Sequence, residues 1–233
     1  MEIGGLQKLT LIDYPKKLAC TVFTTGCNFR CPFCYASELV LPEKIKNQPK
    51  IAQSVFFNFL KEKKGLIEGV VICGGEPTIH KDLPSFIKKI KKMNYSVKLD
   101  TNGSNPAVLK KLIENNFIDY VAMDIKGPKE SYQKLTVRKI NVANVERSVK
   151  ILKESKIDFE FRTTIVPEIL EKKDITQIAR WIGPGGKYYL QGFRPEKTVD
   201  PRFEKVKPYP GEYMVEIKNA VAPLFDVCEI RGI

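Results

Sequence analysis

The sequence predicts an α/β fold of parallel βα units, arranged as an open sheet or an incomplete barrel. Two observations carry this reading. Short apolar runs of strand length alternate with segments of helical periodicity, six times along the chain. Six units are too few to close an eight-stranded barrel, and in either arrangement ligands are expected at the carboxyl ends of the strands. The 233 residues, 43% apolar and 28% charged, suit one globular core.

The elements follow in order. Ala19–Thr24 reads as the first buried strand. Residues 51–64 read as an amphipathic helix with Val55, Phe56, Phe59 and Leu60 on one face. A short buried strand over 69–73 precedes a helix over 84–93, with Phe86, Ile87 and Ile90 inward. A strand over 96–100 precedes a helix over 106–116, where Pro106 suits the first turn. A strand over 120–124 leads to a helix over 142–154, with Val145, Val149 and Leu152 in register. A strand over 158–163 leads to a helix over 174–182, with Asp174 as its N-cap. The sixth strand is expected over 188–193. Residues 194–211, rich in proline and charge, read as a loop, and 212–224 as a last helix limited by Pro223. One domain over 1–233 is expected, with a core of about 18–193 and a C-terminal extension over 194–233.

No apolar run approaches the roughly 18 residues that cross a bilayer. The start, Met1-Glu2-Ile3-Gly4-Gly5, lacks the basic and apolar regions of a signal peptide. A cytoplasmic protein without a membrane partner is expected. The net charge of +12 arises from 39 Lys+Arg against 27 Asp+Glu. Of the basic residues 31 are Lys and 8 are Arg, and many Lys stand in pairs on expected helices. Base readers favour the planar fork of Arg, so the charge reads as a Lys-coated surface and nucleic acid is not an expected partner.

The cysteines are more decisive. Three of the six fall in Gly26-Cys27-Asn28-Phe29-Arg30-Cys31-Pro32-Phe33-Cys34, on the loop leaving the first strand. This Cys-x3-Cys-x2-Cys spacing lets three thiolates converge on one cubic iron–sulfur cluster. Full ligation of a [4Fe–4S] cluster takes four Cys, so three leave one iron open to a chelating substrate. Two other readings stand beside it: a zinc site completed by His80 or Cys73, or three structural thiols. No second Cys-x2-Cys pair supports zinc. Cys20, Cys73 and Cys228 have no ligand spacing and read as buried small apolar residues.

The cysteine run resembles the signature of the radical S-adenosylmethionine (radical SAM) superfamily. The preceding Gly4-Gly5-Leu6-Gln7-Lys8, Leu11-Ile12-Asp13-Tyr14-Pro15, Leu18-Ala19-Cys20 and Phe23-Thr24 resemble the anaerobic ribonucleoside-triphosphate reductase activating proteins. Those belong to the glycyl-radical-enzyme activases, related to pyruvate formate-lyase activase. The resemblance implies an incomplete (βα)6 TIM-like barrel and a [4Fe–4S] cluster on Cys27, Cys31 and Cys34, with SAM at the open iron. It implies reductive cleavage of SAM to methionine and a 5′-deoxyadenosyl radical, which takes a hydrogen atom from a glycine of a partner glycyl radical enzyme. Anaerobic ribonucleotide reductase is the expected partner, and flavodoxin or ferredoxin the expected electron donor. No protein residue is expected to act as a catalytic acid or base. The alternatives are a radical SAM enzyme acting on a small molecule, a peptide or a tRNA base and, from a different class, a non-catalytic metal-binding module.

The remaining motifs lie at strand ends. In Cys73-Gly74-Gly75-Glu76-Pro77 the glycines allow a close backbone approach to a ligand. The resemblance implies that Gly74, Gly75 and Glu76 bind the SAM amino group. Asp100, Thr101 and Asn102 end the third expected strand, where they could hold a ribose or cap the next turn. Asp124 and Lys126 alternate with apolar neighbours and point to one face, as a buried ion pair or a shared site. The resemblance implies that Asp100, Thr101, Asp124 and Lys126 hold SAM, with a monovalent cation near its carboxylate. Arg162, between apolar residues at a strand end, fits a carboxylate clamp. Gln191 stands near where relatives place a SAM-contacting His. Phe33 reads equally as an adenine-packing ring or a core aromatic. Two positions depart from the pattern of relatives: Tyr35-Ala36 replaces His-Asn, and Lys16 replaces a Gly.

Overall fold

Neighbouring parallel strands need crossover connections, and the helices in those crossovers cover one face of the sheet. The computed structural model, which describes residues 1–232, builds one eight-stranded sheet whose spatial order follows the chain order. The strands are β1 (Ile3–Thr10), β2 (Ala19–Thr24), β3 (Gly69–Gly74), β4 (Ser96–Thr101), β5 (Tyr120–Asp124), β6 (Asp158–Ile165), β7 (Lys187–Gly192) and β8 (Val227–Arg231). β1 runs antiparallel to β2, and every later neighbour pair is parallel. β1 and β8 are the two edges and do not pair, so the sheet is the incomplete TIM-like barrel that the pattern implied.

The helices are α1 (Ser37–Val40), α2 (Pro42–Ile45), α3 (Gln53–Glu62), α4 (Leu83–Lys92), α5 (Pro106–Glu114), α6 (Tyr132–Thr136), α7 (Val142–Glu154), α8 (Lys172–Ile182) and α9 (Gly211–Val221). Their apolar stripes cover one face of the sheet. Phe86 and Ile90 of α4 and Ile175 and Ile178 of α8 join Ile72, Leu99, Met123 and Leu190 in the main core. The alternate residues of the same strands face the barrel interior. Near its floor Ala19, Val71 and Tyr120 pack with Tyr14 of the β1–β2 connection. Further along, Lys98, Asp100, Asp124, Glu160 and Arg162 line that inner face.

Several expectations are corrected. The six expected strands are all present, but β1 and β8 were unread. β1 carries two glycines and alternates poorly, and β8 is a short, half-exposed edge strand. Both exist because a neighbouring strand offers them hydrogen bonds. The segment after residue 193 is therefore more than a loop and helix, since it returns a strand to the sheet. Val55 of α3 is exposed, while Phe56, Phe59 and Leu60 are buried. Asp174 is not the N-cap of α8. Glu171 caps it, and Asp174 sits three residues in as the reciprocal half of a capping box. Lys16 has φ +64, a left-handed conformation that explains why glycine is usual there.

β8 is secured by charge. Glu160 is 0% exposed and accepts two hydrogen bonds from Arg231, at 2.8 and 3.1 Å, and one from the Tyr120 hydroxyl at 2.9 Å. The Arg231 guanidinium also lies 3.3 Å over the Tyr189 ring. Arg231→Met leaves a buried carboxylate with one donor and lowers stability by about 3 kcal/mol, read as a fall in the urea midpoint. Arg231→Lys recovers only part of it, because an ammonium cannot reproduce the fork.

Candidate active site

The loop after β2 is shaped by its own polar groups. The Arg30 guanidinium donates to the carbonyls of Cys27 (2.6 Å) and Phe29 (2.7 Å), and its amide donates to Thr136 O (2.8 Å). Phe29 is buried edge-on against Tyr132. From the C-terminal segment, the amides of Val199 and Asp200 donate to the carbonyls of Cys34 and Pro32, both at 2.9 Å. The three cysteines are thus held on a braced loop, with the Phe29 amide donating to the Cys27 sulfur at 3.3 Å.

Burial pushes the Cys27 and Cys31 thiols up to about 12 and raises Cys34, while the nearby Lys126 ammonium opposes this at all three. One buried and two half-buried thiols, with backbone amides and the Lys126 ammonium beside them, suit a cationic cluster that would compensate three thiolates. The zinc reading finds no support. His80 Nε2 lies 2.9 Å from the Thr25 carbonyl, and Cys73 sits among Asp100, Lys98 and Arg162. Among the described residues no group of three His, Cys, Asp or Glu is placed to hold a single ion. In a cubic cluster each thiolate meets a different iron, so such compactness is not required.

Gly74 and Gly75 permit a close approach, but to the cysteine loop. The Gly75 and Glu76 amides donate to Thr24 O and Gly26 O, both at 2.8 Å. A Cβ on Gly75 would overlap the Gly26 carbonyl oxygen, and one on Gly74 (φ +107) would meet the Thr24 backbone. The Glu76 side chain is 1% exposed. Its carboxylate accepts from the Thr78 amide and hydroxyl, the Thr101 hydroxyl (2.7 Å) and the Asn102 amide (2.6 Å). Burial raises its pKa, and those four donors offset part of the rise. Asn102 extends the tie, donating to Asn28 of the cysteine loop at 2.9 Å, while Asn28 donates to Ser104 at 2.8 Å. Glu76, Thr101 and Asn102 therefore weld the ends of β3 and β4 to the cysteine loop. Asn28, Thr78 and Ser104 went unread, because hydrogen bonds between distant loops leave no local pattern.

Asp100, Asp124, Lys126 and Arg162 do come together. Arg162 donates to Asp124 and to Asp100, each at 2.8 Å, and Lys126 pairs with Asp124 at 3.1 Å. Burial alone would raise the Asp124 pKa, yet Arg162 and Lys126 hold it well below the usual carboxylate range. Lys98, also unread, closes the far end on Asp100. Its signal was the spacing already used for Asp124 and Lys126, a cation two residues from an Asp on one strand face. Phe33 is 5% exposed and packs in the main core. Gln191 lies on the inner face of β7, beside Arg231 in register. Tyr35 is exposed.

The sequence profile of the radical SAM superfamily matches residues 21–182, from β2 to the end of α8. The chain belongs to the radical SAM superfamily. Membership implies a [4Fe–4S] cluster and SAM, and the three-thiol loop fits that cluster. A Methanocaldococcus jannaschii protein provisionally named a glycyl-radical enzyme activating enzyme is 34% identical over 217 residues, covering 90% of this chain and 87% of that protein. A Thermococcus kodakarensis protein provisionally named a GTP 3′,8-cyclase is 24% identical, covering 78% of this chain and 64% of that protein. Among solved structures, a TYW1 protein with a lysine–pyruvate adduct superposes with a TM-score of 0.62 at 16% identity, covering 88% of this chain and 73% of that one. This last likeness is one of fold. No helix of the described residues is long and apolar enough to cross a membrane.

The glycine contact makes a sharp test for this radical SAM chain. Gly75→Ala drives the β3 loop off the cysteine loop, costing about 2 kcal/mol as overpacking. The expected result is a lower melting temperature together with reduced iron after anaerobic reconstitution, whereas Gly65→Ala, on an open loop, leaves iron content unchanged.

Proposed function

We propose that this radical SAM protein is a glycyl-radical-enzyme activating enzyme, with anaerobic ribonucleotide reductase as its partner. The observation that supports this best is the similarity, over nearly the whole of both chains, to the Methanocaldococcus jannaschii protein provisionally given that activity. In this reading the chain is a single radical SAM domain, and flavodoxin or ferredoxin delivers the electron.

A reduced cluster on Cys27, Cys31 and Cys34 would supply the electron that splits the SAM sulfonium, giving a carbon radical able to take hydrogen from a glycine Cα. The chain's own residues position and shield that chemistry. Gly74 and Gly75 bring the β3 backbone against the cysteine loop, where it can meet the SAM amino group. Lys98, Lys126 and Arg162 with Asp100 and Asp124 leave a surplus of one positive charge at the strand ends, suited to the SAM carboxylate. Gln191 offers a neutral hydrogen bond from β7. No side chain is required to move a proton.

Anaerobically reconstituted protein is expected to hold about one four-iron cluster, as three cysteines on one loop imply. Tightly bound zinc without iron contradicts that. Reduced protein with SAM is expected to raise a glycyl EPR signal on an anaerobic ribonucleotide reductase. Deoxyadenosine formed without a glycyl signal on any of several glycyl radical enzymes would instead favour a small-molecule, peptide or tRNA substrate, the direction in which the similarity to GTP 3′,8-cyclase points.

A further inference from the structure

The residues that the resemblance assigned to a monovalent cation do not fit one. Each of the four carboxylate oxygens of Asp100 and Asp124 already faces a different side-chain N–H. Asp100 Oδ1 takes Lys98 Nζ and Oδ2 takes Arg162. Asp124 Oδ1 takes Arg162 and Oδ2 takes Lys126. The Thr101 hydroxyl is equally engaged, donating to Glu76 and accepting from the Gly103 amide at 3.1 Å. Three cations oppose two carboxylates, so the group is already one charge positive. A further ion would add like charge and find no free oxygen.

Lys98 is the member that makes this so. It is 1% exposed, on the inner face of β4, with its ammonium 6.0 Å from the Tyr120 ring centroid. A buried ammonium needs a strong reason to remain, since transfer from water is expensive unless it is paired. Without it Asp100 Oδ1 would be a half-buried carboxylate oxygen with no donor, which is the condition under which a hard cation is taken up.

We propose that Lys98 is a built-in counterion. Its ammonium occupies the place on Asp100 that a potassium or sodium ion would otherwise fill, and the protein has no monovalent-cation requirement. Lys98 is a positioning residue. It holds Asp100, and through Arg162 it holds Asp124 and Lys126 beside the cysteine loop.

The test has one arm that needs no cofactor. Thermal unfolding of the full cluster-free chain is followed in potassium chloride and in tetramethylammonium chloride at equal ionic strength. The wild type is expected to melt at the same temperature in both. Lys98→Met is expected to melt lower in tetramethylammonium and to rise by several degrees in potassium, because an ion that binds only the folded state stabilises it. A Lys98→Met chain that melts identically in both salts overturns the proposal. The second arm measures SAM affinity of the reconstituted wild type in the same two salts, and rests on the radical SAM reading. Equal affinity is expected, and a loss of about fivefold or more in tetramethylammonium, the scale of a real site–site coupling, overturns the proposal. Should Lys98→Met fail to fold in either salt, the wild-type arms decide. Failure of SAM binding in both salts would count against the cofactor reading, leaving the melting result to judge Lys98.

Discussion

The buried Arg162 guanidinium, clamped between Asp100 of β4 and Asp124 of β5, is the interaction on which the rest of the site depends. An open parallel sheet places polar strand ends around one mouth, and charges there are partly withdrawn from water. Such charges persist only if they are paired. Arg162 pairs two carboxylates at once, and each recruits one more cation, Lys98 or Lys126. The result is an alternating row across three strands that ends beside three cysteines. The row couples the geometry of the barrel interior to the electrostatics of the cysteine loop, because displacing any member unpairs its neighbour.

A second network, centred on Glu76, ties the loop from another side. Glu76 is buried with four donors and ties β3, β4 and, through Asn102 and Asn28, the cysteine loop. Two glycines bring the backbones close enough for that tie. A family motif that reads as a ligand-binding segment therefore has a structural half. Its glycines serve loop-to-loop contact, its carboxylate serves as a joint, and the backbone is what remains for a ligand. Glu76 thereby holds two strand ends in register with the cysteines.

The legibility of these features in the sequence followed their range. Six strands and their helices were readable because the helix-covered face of each strand demands apolar residues at every second position or in a short run, and helical cover demands a regular stripe. The pairing of Asp124 with Lys126 was readable for the same reason, since residues two apart on a strand share a face. Lys98 with Asp100 obeys the same rule. β1 and β8 were not readable. Neither carries a strong pattern, and each owes its existence to the strand beside it. Phe33 illustrates an ambiguity that no local rule resolves, because an aromatic next to a cysteine packs inward or outward according to what surrounds the loop.

By itself the sequence determined the chemistry available to this protein. Three cysteines at fixed spacing on one loop, with glycine and aspartate at the following strand ends, specify a three-thiol cluster site on a parallel sheet, because ligand spacing and strand alternation are local properties of the chain. Only the tertiary structure decided how those strand-end charges are satisfied. Which cation faces which carboxylate oxygen depends on the register of three strands separated by two helical crossovers, and that register sets lysine and arginine against all four oxygens of Asp100 and Asp124.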